Sequence, residues 1–182
     1  LAMMTRNDVR ATHLFAEFKA FAEGDGLADD APRLTPIEHI KSIARYAKIY
    51  AAFENPSDHP RLALFMRRME AFETQTVMPF LLRVYGELMP EKRDEFDEVL
   101  AVIEAYLMRR MIVRMKNSGY NRLFIDLMRA LEKKGTFTAE ATRNYLSKSK
   151  ADTVRWPSDQ EVWRAVGERP VYNDLARKRL RP

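Results

Sequence analysis

The chain has 182 residues, of which 46% are hydrophobic and 31% are charged, enough for one globular domain with a substantial buried core. It contains no cysteine, which excludes a disulfide framework and cysteine-based metal or redox chemistry. It has no run of about 18 apolar residues and no signal-peptide pattern, so we expect a cytoplasmic protein without a membrane span. The first residue, Leu1, predicts that the chain is a segment of a longer protein.

The formal net charge of +5 is unevenly distributed along the chain. Residues 1–90 carry 11 Lys or Arg against 12 Asp or Glu, whereas residues 91–182 carry 20 against 14. Such an asymmetry fits both an ordinary solvated surface and a surface that faces nucleic acid. We predict one helical domain over residues 1–182, with a division into 1–89 and 90–182 as the alternative.

Apolar residues at helical spacing predict four helices in the N-terminal half. They span Asp8–Ala22, Thr35–Phe53, Pro60–Glu73 and Thr76–Leu88. The second helix has the strongest start signal, because Thr35 can cap it, Pro36 suits its first position and Glu38 can complete a capping box. Five of its apolar residues share one side: Ile37, Ile40, Ala44, Ala47 and Ala51.

A long central helix is predicted over Glu91–Lys116. Its first turns are acidic and its last turns are basic, an order that complements the helix macrodipole. From Val99 to Val113 it is apolar nearly all round, which is typical of a helix at the centre of a bundle. The stop signal at residues 117–119 follows, and Asn121 is the expected cap of the next helix.

Shorter helices complete the prediction. One ends at Gly135, one follows Thr138, and after a polar loop over residues 147–155 another begins at a second capping box, Ser158 to Glu161. A last helix is predicted over Val171–Leu180. No segment has the two-residue alternation of a strand, so we predict an all-α bundle of about seven to nine helices around the helix 91–116.

Two arginines near the end of the central helix fall on its core face. On a projection of about 100° per residue, Arg110 and Arg114 lie within roughly 40° of Ile103, whereas Arg109 points off that face. A buried arginine needs a partner, so we predict that Arg110 and Arg114 form buried ion pairs, or else face a groove or a phosphate. The candidate carboxylates are Glu70, Glu73 and Asp126.

Cations around the following turn give a second hypothesis, that this part of the chain contacts DNA phosphates. The candidate contacts are Arg109, Lys116, Arg122, Arg177, Lys178 and Arg179. The alternative is that these side chains are ion-paired or solvated. Trp156, held extended by Pro157, has two candidate roles, packing against the bundle and stacking on a base.

Catalytic constellations are absent from the sequence. His13, His39 and His59 lack the spacing of metal ligands, and Ile37-Glu38-His39-Ile40 lacks the downstream partners of an HNH nuclease motif. No glycine-rich phosphate loop and no GxSxG elbow occurs. The acidic run Glu91–Glu98 is explained by its position at a helix N-terminus. We therefore predict a non-catalytic segment with no metal and no cofactor.

Five motifs, taken in order, resemble one bacterial family. They are LFAEFK (14–19), IEAYLMRRMIV (103–113), GYNRLF (119–124), WPSDQEV (156–162) and VY (171–172). Their order and spacing resemble those of GmrSD-type restriction endonucleases, the modification-dependent type IV class. The resemblance covers most of the chain, and its most specific parts are the tandem arginine after IEAYL and the later WPSD.

In that family a helical region lies between a ParB-like nucleotidase domain and an HNH nuclease domain. The resemblance therefore implies a helical module of a phage-defence protein, an NTP-dependent endonuclease in which the module links nucleotide binding to DNA cleavage. It implies DNA and the two flanking domains as partners. It carries no catalytic residue onto this chain, because the nucleotidase signature around DGQQR and the nuclease element EHI.P have no matching position here. The alternative is a structural or oligomerisation module that binds no nucleic acid.

Overall fold

The computed structural model describes residues 11–24, 34–71 and 74–168. Over these ranges a 3₁₀ turn, Ala11–His13, and eight α-helices form a multi-helix bundle without a strand, which confirms the predicted all-α class. The helices are α1 Leu14–Glu23, α2 Pro36–Glu54, α3 Pro60–Ala71, α4 Met78–Leu88, α5 Arg93–Ile112, α6 Tyr120–Lys134, α7 Ala139–Lys148 and α8 Asp159–Glu168. None of the described helices is long and apolar enough to cross a membrane.

Helix α5 lies at the centre of the bundle, as its all-round apolar sequence predicts. It contacts α3, α4, α7 and α8. Phe96, Leu100 and Ile103 have no exposed surface, so α5 supplies much of the core. Truncating one such side chain to alanine typically costs about 2–5 kcal/mol. The buried side chains form one cluster that runs from Ile49 to Leu146 and so includes residues on both sides of residue 89.

The C-terminal end of α5 differs from the prediction. The helix ends at Ile112 rather than Lys116, because Arg114 adopts a left-handed backbone conformation with φ of 60°. The N–H of Arg114 donates to the carbonyl of Met111 at 3.0 Å, and the N–H of Met115 donates to the carbonyl of Arg110 at 2.9 Å. These two bonds form a Schellman motif, in which glycine is the usual left-handed residue. The sequence has arginine there, so no residue type marked the stop.

The buried side of α2 is not the side that carries its apolar stripe. Ile49 and Phe53 are buried, whereas Ile37 and Ile40 are 64% and 66% exposed. The remaining members of the stripe are also exposed: Ala44, Ala47 and Ala51. Helix α2 therefore has two apolar sides, and the side that packs on α3 and α4 is opposite to the stripe.

Both predicted capping boxes form. The N–H of Thr35 donates to Glu38 Oε2 at 2.7 Å, and the N–H of Glu38 donates to Thr35 Oγ1 at 3.3 Å. In the second box the N–H of Ser158 donates to Glu161 Oε2 at 2.9 Å, and the N–H of Glu161 donates to Ser158 Oγ at 3.2 Å. These local signals set where α2 and α8 begin, independently of the packing around them.

The predicted cap of α6 is wrong. The capping position is Gly119, and Asn121 lies within the first turn. A Cβ atom at Gly119 would lie 2.8 Å from Cγ1 of Val154, so glycine allows the segment around Val154 to pass close to the start of α6. The last predicted helix, Val171–Leu180, lies outside the described residues.

Candidate nucleic-acid interface and the buried arginine cluster

Arg110 is the largest fully buried side chain of the described chain, with no exposed surface. This confirms its predicted position on the core face of α5. Its guanidinium reaches three backbone carbonyls outside the helices. Nη1 donates to the carbonyl of Arg155 at 2.7 Å, and Nη2 donates to those of Lys116 and Thr153, both at 2.6 Å. Arg110 thus joins the turn after α5 to the segment before α8.

Two further acceptors and two aromatic rings complete the surroundings of Arg110. Nε donates to the Tyr120 hydroxyl at 2.9 Å and Nη1 also donates to the Met115 sulfur at 3.3 Å, so five N–H donors meet five acceptors. The ring centroids of Tyr106 and Tyr120 lie 5.5 and 5.2 Å from the guanidinium carbon, within cation–π range. Burial raises the pKa of both tyrosines, so both hydroxyls stay neutral at physiological pH.

The predicted ion pair is wrong for Arg110, because none of its five acceptors is a carboxylate. Carbonyl dipoles and aromatic faces balance the charge instead. The position also favours a cation, since it lies in the last turn of α5, where the helix dipole is negative. Sequence reasoning missed this arrangement because carbonyls that converge from two loops leave no residue-type signal.

Arg114 is not on the core face. It follows the end of α5 in a left-handed conformation, and its side chain is exposed. The helical projection that placed it beside Arg110 assumed a helix that continues to residue 116, and this one ends at residue 112. The predicted burial of Arg114 is therefore wrong, for the same reason that the end of α5 was misplaced.

Tyr106 binds the middle of the segment 153–155, whose two ends are bound by Arg110. Its hydroxyl donates to the carbonyl of Val154 at 2.7 Å, so Arg110 and Tyr106 together bind the three successive carbonyls of residues 153–155. Backbone carbonyls outside helices and sheets need such partners when they approach a core. Side chains of α5 therefore fix the path of the segment that leads into α8.

Trp156 packs against the bundle, as the first of its two predicted roles states. Its ring centroid lies 5.5 Å from that of Tyr106, and the following Pro157 is buried. The guanidinium carbon of Arg143, on α7, lies 5.4 Å from the same ring centroid. The sequence did not point to Arg143, because its proximity to Trp156 depends on how α7 packs against α5.

Arg109 holds the start of α8. Its Nη1 donates to the carbonyl of Pro157 at 3.2 Å, its Nη2 is paired with the Asp159 carboxylate, and its guanidinium carbon lies 6.0 Å from the Trp156 ring centroid. The side chain is 27% exposed. These internal contacts occupy the guanidinium, so a DNA phosphate would have to compete with Asp159 for it.

A second arginine strengthens the same helix start. Arg155 donates from Nη1 and Nη2 to the two carboxylate oxygens of Glu161, at 2.9 and 2.6 Å. Glu161 is also the carboxylate of the Ser158 capping box. The hydrogen bonds from Arg155, followed by that from the Ser158 backbone, lower the pKa of Glu161 to about 2. The carboxylate therefore stays charged through the whole neutral and mildly acidic range.

A buried interhelical ion pair does exist, at Glu104, which was not among the predicted carboxylates. Glu104 of α5 is 9% exposed, and Arg61 of α3 donates to its Oε2 at 2.7 Å while Arg68 is paired with its Oε1. Glu104 is the one acidic residue between Val99 and Val113. An acid inside an apolar stretch was therefore the signal that could have found the pair.

The exposed cations nearest the predicted DNA contact lie at the turn between α5 and α6. Lys116 is exposed, and Arg122, in the first turn of α6, has a 91% exposed side chain that lies 3.5 Å from the Asp126 carboxylate. Asn117 and Ser118 are exposed between them. The other three predicted contacts lie outside the described residues: Arg177, Lys178 and Arg179.

Two of the three histidines are buried and have packing partners. The His39 ring lies edge-on to Phe18 and Phe21 of α1, with centroids 6.2 and 5.3 Å away. His59 Nε2 lies 2.6 Å from Asp97 Oδ1, and its ring packs beside Phe96. Within the described ranges, no group of three or more histidine or acidic side chains is arranged to hold a metal ion.

The chain matches no protein-family model, no curated protein and no solved structure.

Proposed function

We propose that this chain is a non-catalytic helical module of a cytoplasmic bacterial restriction protein similar to the GmrSD type. The module links nucleotide binding in one flanking domain to DNA cleavage in the other, and contacts DNA phosphates at the turn between α5 and α6. One observation supports this best: three of the motifs that carry the resemblance, at residues 103–113, 119–124 and 156–162, meet around Arg110 and Tyr106.

Each of the three motifs contributes a direct contact around Arg110 and Tyr106. IEAYLMRRMIV supplies Tyr106 and Arg110, GYNRLF supplies the Tyr120 hydroxyl that accepts from Arg110, and WPSDQEV supplies Trp156, which packs on Tyr106. Motifs whose side chains contact one another have a common structural reason to occur in a fixed order. In the proposed module the three motifs therefore form one structural unit.

The turn between α5 and α6 has the properties of a phosphate contact. Lys116 and Arg122 are exposed, and the backbone between them is held because Arg110 binds the carbonyl of Lys116. A held turn loses little conformational freedom when it binds. Phosphate contacts of this kind orient a protein on DNA without reading its sequence. Arg177, Lys178 and Arg179 remain further candidate phosphate contacts in this proposal.

The test is fluorescence anisotropy of the chain with a labelled DNA duplex, titrated across salt. We expect the logarithm of the affinity to fall linearly with the logarithm of salt concentration. Lys116→Glu combined with Arg122→Glu should weaken binding at least tenfold and reduce the salt slope by about 2, since each phosphate contact contributes roughly 0.9. The charge-matched control, Lys41→Glu combined with Lys48→Glu on α2, should change the affinity much less.

Two outcomes would contradict the proposal. If both double variants lose affinity equally, the binding reflects net charge and not the turn. If the chain binds no DNA at low salt, the structural alternative is favoured, and the internal roles of Arg109 and Arg110 support that alternative. DNA recognition would then lie in the flanking domains.

A further inference from the structure

The exposed apolar stripe of α2 has the spacing of a coiled-coil seam. Its members, here called the α2 seam, are Ile37, Ile40, Ala44, Ala47 and Ala51, which alternate at intervals of three and four residues. That is the a/d pattern through which one helix packs along another. The seam extends over about 21 Å at 1.5 Å per residue, close to four helical turns. All five residues are exposed in the part of the chain that the structure describes.

The α2 seam is not needed to attach α2 to the bundle. The opposite side of the helix does this, through buried Ile49 and Phe53, and Phe53 packs on Phe96 of α5 with ring centroids 6.3 Å apart. Isolated exposed apolar residues are common, but a continuous stripe with large isoleucines at one end is typical of an interaction surface.

One edge of the seam is basic. Lys41, Arg45 and Lys48 follow one another along α2, and no acidic residue lies between Glu38 and Glu54. Glu38 itself is bound in the Thr35 capping box, where the hydrogen bond from the Thr35 backbone lowers its pKa. Glu38 also interacts electrostatically with Lys41, but α2 has no further acidic side chain before Glu54, so cations outnumber anions along the middle of the helix.

The same three cations line a groove of about 490 Å³ between α2 and α4, and its other lining residues are mostly apolar: Ala44, Ile49, Tyr85, Gly86 and Met89. Arg45 Nη2 donates to the carbonyl of Gly86 at 2.6 Å, which holds one wall of the groove in place. A Cβ at Gly86 would lie 3.0 Å from Ile49 Cδ1, so glycine lets the two helices approach closely. The groove continues the seam with an apolar floor and a basic rim.

We propose that the α2 seam and its basic edge dock an acidic amphipathic helix of a partner protein. The heptad spacing fits the apolar side of such a helix, the alanines leave room for its larger side chains, and Lys41, Arg45 and Lys48 match its acidic flank. A second copy of this chain is a poorer occupant, because Lys41 and Lys48 would face the same lysines in an antiparallel pair. This surface is separate from the turn proposed to contact DNA.

The test uses the full chain and a fluorescein-labelled helical peptide of about three heptads, with leucine at a and d and glutamate at e and g. A twin peptide with lysine at e and g is the control ligand. We expect the acidic peptide to bind and the basic twin to bind at least tenfold more weakly. Ile40→Glu combined with Ala47→Glu should abolish binding, because it places charges in the seam. Lys41→Glu combined with Lys48→Glu should weaken binding at least tenfold.

The charge-matched control is Lys116→Glu combined with Arg122→Glu, which should leave peptide binding unchanged. Circular dichroism checks that each variant keeps its helix content. Equal binding of both peptides, or an unchanged affinity in the Lys41/Lys48 variant, would overturn the proposal. The absence of any binding to the full chain would also overturn it. Sedimentation that shows dimers, lost in the Ile40/Ala47 variant, would assign the seam to a second copy.

Discussion

Glu104 and Arg110 are two buried charges on one helix that are stabilised in different ways. Glu104 is 9% exposed and is bound by two arginines of α3, so its charge is balanced by opposite charges. Arg110 has no exposed surface and no carboxylate partner, and its charge is balanced by carbonyl dipoles, a hydroxyl, a sulfur and two aromatic rings. Six residues apart, the same helix uses an ion pair on one side and a set of neutral acceptors on the other.

The difference separates two structural roles. The ion pair of Glu104 joins two helices that already pack through apolar side chains, so it adds to an existing interface. Arg110 binds segments that have no helix of their own, the turn after α5 and residues 153–155. Without the arginine, those carbonyls would lose their donors, and a buried carbonyl left unpaired costs about 1–3 kcal/mol. Arg110 therefore determines the path of the chain, whereas Glu104 stabilises a contact.

The largest effect is expected for Arg110→Ala, which removes five hydrogen bonds and leaves three carbonyls without donors. We expect the free energy of unfolding to fall by about 4 kcal/mol. Urea denaturation followed by circular dichroism measures it. Arg110→Lys keeps the charge but has three donors instead of five, so it should lose about half as much.

If Arg110→Ala does not fold, Tyr120→Phe gives a milder test, because it removes one acceptor and keeps the ring. It should cost about 1 kcal/mol. An Arg110→Lys variant as stable as the wild type would show that charge alone matters and that the geometry of the donors does not.

The next largest effect is expected for Glu104→Gln, which keeps the shape of the side chain and removes its charge. It leaves Arg61 and Arg68 without their anion and should cost about 2–3 kcal/mol. The loss should shrink when salt is raised to about 1 M, because Arg68 is 46% exposed and salt screens exposed charges. The loss in Arg110→Lys should stay constant over the same range. If the stability losses of Glu104→Gln and Arg110→Lys changed equally with salt, the two buried charges would not be balanced in different ways.

Glu161→Gln is expected to have a smaller effect, with a pH dependence of known sign. The pKa of Glu161 is held at about 2 in the folded chain, below its ordinary value of 4.5. The stabilisation is therefore present above pH 4.5 and is lost as the pH falls toward 2. We expect a loss of about 1 kcal/mol at pH 7, typical of a helix cap. Urea denaturation at several pH values measures the free energy of unfolding of the variant and of the wild type. The difference between them should become smaller as the pH falls toward 2, and a difference that stays constant would contradict the lowered pKa of Glu161.

Local signals in the sequence predicted the fold class and several helix starts. Capping boxes and apolar spacing act within a few residues, so the starts of α2 and α8 and the central position of α5 were correct. Features that depend on distant segments were not predicted. The end of α5 has an arginine where glycine is usual, and the partners of Arg110 are backbone groups, which have no residue-type signature.

The buried side of α2 also could not be predicted from the sequence. Its sequence contains two apolar sides, and periodicity alone cannot decide which of them is buried. Tyr46, Ile49 and Phe53 pack on the body because α3 and α4 supply the complementary surface, and the alanine-rich stripe is left outside. Of the candidate DNA contacts, Lys116 and Arg122 are exposed, whereas Arg109 contacts Trp156 and Asp159, which the sequence alone could not show.

The smallest effect is expected for Arg109→Ala. This variant tests whether Arg110 faces the core of the bundle while Arg109 points off it. Arg109 and Arg110 are neighbours that project about 100° apart around α5. Arg109 pairs with Asp159, which is 76% exposed, so its loss should cost only about 0.5–1 kcal/mol. Thermal unfolding of the two alanine variants under one condition makes the comparison directly. Equal shifts in Tm would mean that the two arginines stabilise the segment before α8 equally. The burial of Arg110 would then not make its contribution to stability larger than that of Arg109.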